Sequence, residues 1–453
     1  MPGIICLIFN LIISPTCNLK DYTEEWRDEY FDGMQNEIYR TEISDKMENY
    51  KFSEIVKKVY IKFGAIVFAL EFEVAGKTFI RINPSNYVIR NIRENKIHAY
   101  VIFDDKTIIN KIAKYDLSNE ETVLYKNPMN ASIITEEGGD ELLGREQYEI
   151  HAQHISNKLG YLSVCKTNLE GSRQVTGHII ICGLHSSLPS FITPLREKNI
   201  NPEQQSYIVI LTADPPSASL WEKLSGFSKF LIIFGSALNI DDLKRANISY
   251  ASKAVIIGDD PSIKKTMKCS MQDAQTIFMY KLIKKCNPDI TVILELFDKN
   301  NVKYLRNFKD SEGSEALFAS GEIYLSTYLD AMTCQQYYNP HIVTIIEQLL
   351  SIECKVTNVF SLFDDLQQSN IWQVTIPDEF VNKTYSELFL YLLSKYGIIT
   401  IGLYRLQDSK RNSCAYVYTK PKPYVRMTSK DRLFILSYSI PKEMGIYLIS
   451  RET

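Results

Sequence analysis

Paired cysteines, a basic excess, a bilayer-length apolar run and a glycine-rich phosphate loop are all missing from this 453-residue chain. Each absence closes off a class of function. The nine cysteines (6, 17, 165, 182, 269, 286, 334, 354 and 414) stand singly, without a CxxC pair. That spacing excludes a disulfide framework and a cysteine zinc site, and it fits a reducing compartment. His151 and His154 form the one close histidine pair, in a polar stretch without a neighbouring cysteine, and read as surface residues. A formal net charge of -3 offers nucleic acid no counter-charge. Met1 to Ser14 (MPGIICLIFNLIIS) is apolar but shorter than the roughly 20 residues a bilayer demands. It also lacks the positive start of a signal peptide, so a secreted protein is the weaker reading and a buried helix the stronger. No Walker A loop, HExxH, nucleophile elbow or EF-hand loop occurs. Asp104-Asp105, Asp259-Asp260 and Asp364-Asp365 each close an apolar run and read as solvated turns.

What is present is an ordinary globular balance, 45% hydrophobic and 23% charged, in a chain long enough for two or three domains. It also contains a repeat. PGIICLIFNLIIS, FSEIVKKVYIKFGAIVFALEF and INPSNYVIRNIRENKIHAYVIFDD follow the same script as NPHIVTIIEQLLS, YSELFLYLLSKYGIITIGLYR and TKPKPYVRMTSKDRLFILSYS. An offset of 333 positions separates Phe52 from Tyr385 and Gly64 from Gly397. Each copy reads as an apolar helix, an amphipathic helix stopped by glycine, and several short strands, which is a small α+β lobe.

Between the copies, residues 177–297 alternate apolar strands (HIIICG, YIVILTA, FLIIFG, KAVIIGD, ITVILELF) with polar or amphipathic segments. Runs of this kind are parallel strands covered on both faces, so a Rossmann-like, doubly wound sheet is expected. The fold class is therefore α/β: a Rossmann-like parallel sheet plus two small α+β lobes. By symmetry a Rossmann half is expected upstream of Met1. Its absence should leave the apolar helix Ile4 to Ile13 exposed, so that Leu7→Glu with Leu11→Glu would improve solubility. A nucleotide fits poorly. Gly183-Leu184-His185-Ser186-Ser187-Leu188 keeps one glycine of G-x-G-x-x-G, and His185 stands where a pyrophosphate would approach. Asp214 reads as a strand-ending turn rather than a ribose ligand. An NAD-dependent oxidoreductase or nucleotide-binding protein remains the alternative.

Gly177 to Gly183, followed by FGSALNIDDLKRANISYASKAVIIGDD (Phe234 to Asp260), resembles the second RCK domain of Slo potassium channels, the large-conductance, calcium-activated type. Phe318 to Ile346 looks like the segment after the calcium bowl of those channels. Trp26, Tyr30, Gly33, Asn36-Glu37, Tyr39 and Ile82-Asn83-Pro84 resemble the later half of the first RCK domain. The resemblance implies a regulatory module and not an enzyme. Residues 1–115 would be the C-terminal half of a first RCK domain and 116–175 a linker. Residues 176–315 would be the Rossmann-like half of a second RCK domain, and 316–453 its connector and C-terminal lobe. It further implies other subunits of a tetrameric channel and a membrane pore domain of the same gene product as partners, at the cytoplasmic face of a membrane. No cofactor is expected beyond calcium or another cation, weakly held. At the bowl position, Asp310, Glu312 and Glu315 are the candidate metal ligands, with Arg306 and Lys309 among them. The first domain's ligand would fall near Lys77-Thr78, where neither residue is an acid.

Overall fold

The computed structural model describes residues 1–13, 25–74, 76–92, 96–117, 175–196, 205–257, 272–305, 315–326, 328–350, 369–408 and 412–439. The chain divides into two compact units, one of Met1–Met129, Glu315–Gly321 and Tyr328–Glu452, the other chiefly of Asn130–Ser314 and Glu322–Thr327.

In the first unit, β1 (Glu37–Glu42), β2 (Ile66–Val74), β3 (Lys77–Ile82) and β4 (His98–Phe103) form an antiparallel sheet ordered β1-β4-β2-β3. Phe52, Ile55, Val56, Val59 and Tyr60 recur at helical spacing, and burying that stripe against the sheet makes a helix of Phe52–Phe63. The Glu54 carboxylate accepts the Lys51 N–H at its start. Gly64 ends it at φ 70°, where a residue with a Cβ would be strained.

The second unit holds β5 (Ile179–Cys182), β6 (Ile208–Thr212), β7 (Phe230–Phe234), β8 (Lys253–Ile256), β9 (Thr291–Leu296) and β10 (Ile323–Leu325). All are parallel, in the order β10-β9-β8-β5-β6-β7, which is the expected doubly wound sheet. Ile180, Ile181, Ile208, Val209 and Ile210 are fully buried, as strands covered on both faces must be. The short β10 extends the sheet at one edge.

The second lobe returns to the first unit with β11 (Asn370–Thr375), β12 (Ile399–Arg405), β13 (Tyr416–Thr419) and β14 (Arg432–Ser437), ordered β11-β14-β12-β13. This is the first lobe's topology repeated. The 333-residue offset persists in small features. Turns of 3-10 helix begin at Asp45 and Asp378, and Asn49 and Asn382 both take positive φ. The register slips between Val67 and Ala69 in one sheet and between Thr400 and Gly402 in the other.

The lobes also trade helices. Helix Ile4–Asn10 lies against β13 of the second copy, where Asn10 Nδ2 donates to Thr419 Oγ1 at 3.0 Å. Helix Ile342–Leu349 lies against β3 of the first, where Gln348 Nε2 donates to Ile80 O at 3.3 Å. The expectation of an exposed helix Ile4 to Ile13 is therefore corrected. Leu7 is 0% and Leu11 3% exposed, because the other copy's sheet covers them. The two amphipathic helices meet as well, with Tyr60 and Phe389 stacked at 4.0 Å between ring centroids, so one hydrophobic core runs through both lobes.

Candidate functional site

Of the three carboxylates at the bowl position, Asp310 and Glu312 lie outside the described residues, and Glu315 opens the helix Glu315–Ala319. The stretch leading toward them is held by a residue that the sequence did not single out. Asp273, 2% exposed at the start of helix Gln272–Cys286, accepts N–H groups from Phe297 (2.9 Å), Asp298 (3.0 Å) and the Asn301 side chain (2.6 Å). Three donors satisfy a buried carboxylate that would otherwise be costly. Asp298 then caps the 3-10 turn Lys299–Tyr304 through the Asn300 N–H. An isolated QDAQ carries no sequence signal for such a role.

The first domain's position itself carries no carboxylate. Lys77 and Thr78 open β3, and Thr78 sits across from Glu73. Lys96 Nζ takes both oxygens of that nearest acid at 3.0 Å, so Glu73 is already neutralised. Among the described residues no group of three or more His, Cys, Asp or Glu is placed to hold a metal ion.

At the crevice of the parallel sheet, strand order reverses between β5 and β8, where open α/β sheets place ligands. Gly183 follows β5 at φ 106°, and a Cβ there would stand 2.9 Å from Ile257 O, so its glycine is required by backbone packing. His185 folds over the next turn. Its Nδ1 accepts the Ser187 N–H at 3.1 Å and lies 2.7 Å from Ser187 Oγ. The helix that follows, Leu188–Ile192, is a single short turn with proline at its second position. A pyrophosphate cradle needs free amides at the N-terminus of a real helix. Here the amide is satisfied by the chain's own histidine. Asp214 is exposed, with its N–H and C=O both bound to Thr212 Oγ1, which makes it the strand-ending turn expected.

Charge inside the first unit is structural. Glu71, 3% exposed on β2, receives a two-pronged bond from Arg40 (2.9 and 2.7 Å) and the Tyr100 hydroxyl (2.6 Å). Burial alone would raise its pKa, but the Arg40 fork and the Tyr100 hydroxyl outweigh it and hold the carboxyl below its ordinary range. Helix Glu25–Met34 is tied to β13 in the same way: Tyr416 donates to Glu29, Tyr418 to Asp32, and Lys422 pairs with Asp32 at 2.6 Å.

These strands and lobes match known proteins in sequence. Residues 174–294 match the slowpoke-like RCK domain of calcium-activated potassium channels. Residues 1–70 match the alpha subunit of calcium-activated BK potassium channels. Residues 365–437 match the TrkA-C-like domain of the Slowpoke Ca2+-activated K+ channel. The chain belongs to the Slo family of potassium channels. It is 18% identical to potassium channel subfamily U member 1 of Macaca fascicularis, over 100% of this chain and 49% of that protein. Identity to the calcium-activated potassium channel slo-1 of Caenorhabditis elegans is 24%, over 59% of this chain and 29% of that one. The chain thus spans about half or less of the Slo relatives it matches. Its fold is that of the human SLO3 gating ring, at TM-score 0.71 and 18% identity, covering 96% of this chain and 72% of that structure. No described helix is long and apolar enough to cross a membrane.

Proposed function

We propose that the chain is the cytosolic regulatory part of a Slo-type, ion-activated potassium channel, coupling ligand binding to pore opening and catalysing nothing itself. In this reading residues 1–115 complete a first RCK domain, 116–175 link, and 176–315 with 316–453 form a second. Its partners are the other subunits of a tetramer and a pore domain of the same gene product, at the cytoplasmic face of a membrane. The observation that carries the reading is the exchange of helices between two like lobes. Two lobes sharing one close-packed core move as a body, which suits a part that must pass a displacement on without absorbing it. Asp310, Glu312 and Glu315 are the candidate ion ligands. Calcium wants six to eight oxygens at about 2.3–2.6 Å, and three carboxylates beside Arg306 and Lys309 supply few of them, so the calcium response is weak.

A chimaera tests the proposal: the chain replaces the matching cytosolic region of slo-1, and potassium current is recorded from excised patches. A channel that opens, with a voltage dependence unlike that of slo-1 lacking the region, supports it. Normal surface expression with currents indistinguishable from that truncated channel overturns it.

A further inference from the structure

We propose that the joint between the two lobes is a one-sided clasp, fixed at Asn83 and strained at Lys420, whose Lys420 rim opens locally while the Asn83 rim stays shut. The two residues are counterparts in the repeat. Each directly follows an edge strand, β3 or β13, precedes a proline and takes left-handed backbone, φ 44° and 46°. Their N–H groups donate to Phe68 O at 2.7 Å and Ile401 O at 2.9 Å, acceptors separated by the repeat's 333 positions. Each side chain then reaches across to the other lobe. Asn83 Nδ2 donates to Leu436 O at 2.8 Å and Gly397 O at 2.9 Å, whereas Lys420 Nζ lies 4.6 Å from the centre of the Phe103 ring. Phe103 and Leu436 are themselves 333 positions apart.

Asn83 suits its place. Asparagine tolerates left-handed backbone, and both N–H bonds of this buried amide are used on the other lobe. Lysine suits it badly. A long side chain there strains the backbone, and the half-buried ammonium has no hydrogen bond or ion pair among the described residues. Burial lowers its pKa, opposed by Asp104 and Asp32 and reinforced by Lys422. Asp32 is already held by Lys422 at 2.6 Å and by the Tyr418 hydroxyl at 2.7 Å. Packing shows the same asymmetry. Leu436 is 0% exposed and Phe103 half-buried, and a Cβ on Gly397 would strike Ser85 where one on Gly64 meets nothing. Strain kept at one rim only, where the packing is open, marks a segment poised to move. Local opening of that rim leaves the shared core packed, so the unit still passes a displacement on as a body.

The experiment is hydrogen exchange of the full chain followed by mass spectrometry, with thermal melts alongside. Gly64 and Gly397 are matched reporters of the two rims, since their N–H groups bind Tyr60 O and Leu393 O alike, at 2.8 and 3.0 Å. Corrected for intrinsic rates, exchange should be about tenfold faster at Gly64 than at Gly397. Lys420→Asn gives the second rim the residue of the first. It should erase that difference and raise the melting temperature by about 2 °C. Lys420→Met removes the charge and keeps the strain, so exchange at Gly64 should stay fast. Asn83→Lys should speed exchange at Gly397 and lower the melting temperature. Equal exchange at the two glycines of the unaltered chain overturns the proposal, whether or not the variants fold. A Lys420→Asn chain that melts lower also overturns it. So does a Lys420→Met chain that slows exchange at Gly64 as fully as Lys420→Asn, which would make the charge and not the backbone the cause.

Discussion

Gly64 and Gly397 hold the same position of the repeat and the same left-handed backbone, φ 70° and 66°, yet they are not equally replaceable. A Cβ on Gly64 meets nothing, whereas one on Gly397 would stand 2.6 Å from Ser85 Oγ and 2.8 Å from its Cβ. Gly64→Ala should therefore cost only the backbone strain, about 1 kcal/mol, and Gly397→Ala at least roughly 1 kcal/mol more in urea unfolding. Ser85→Gly should recover that difference, since the two positions are coupled. Arg40→Ala strands a buried carboxylate and is expected to cost roughly 2–3 kcal/mol in the same assay. His178 contributes a pH dependence to the stability of the parallel unit. The ring is 0% exposed, with Nε2 donating to Ala246 O at 2.8 Å, and burial lowers its pKa from the ordinary value. The unfolded chain takes up a proton near pH 6.5 that the folded ring resists. Its stabilising effect is thus whole above that pH and is lost as pH falls below it. Thermal melts from neutral pH to about pH 5 should show this fall, and His178→Gln should flatten it.

At the scale of elements, the parallel strands and the glycine-stopped helices were legible because burial on both faces and on one stripe leave different periods in a sequence. The strands β5 to β9 and the helices Phe52–Phe63 and Tyr385–Tyr396 fall where those periods place them. Periodicity names the buried face but not its partner, so the trade of Ile4–Asn10 for Ile342–Leu349 was hidden. Glu71 was hidden for a similar reason: in ALEFEV its alternation reads as solvent-facing, and only the fold brings Arg40 and Tyr100 to it. The carboxylates at 310 and 312, legible as composition, lie where the structure describes no residue. The exchange reverses an expectation about Leu7. Leu7→Ala should lower stability by about 2–5 kcal/mol, as for other buried leucines, and Leu7→Glu with Leu11→Glu should yield insoluble or unfolded protein. A soluble, folded double variant would show that the helix is not seated on β13.

For the molecule as a whole, calcium is the discriminating ligand. Calorimetry on the full chain at physiological salt should show nothing tighter than about millimolar, the range of weak extracellular modules. Low-micromolar heat lost in Asp310→Ala would mean that backbone oxygens complete a real site. The traded helices also set a clock. Asn10 waits for Thr419, 409 positions downstream, before its side chain finds a partner. At the roughly 5–20 residues per second of synthesis, Leu7 and Leu11 stay uncovered for about 20–80 s after leaving the ribosome. In that interval the nascent chain presents an adhesive helix that only strand β13 covers, so slowing translation between Leu11 and Thr419 should raise aggregation more than equal slowing after Thr419.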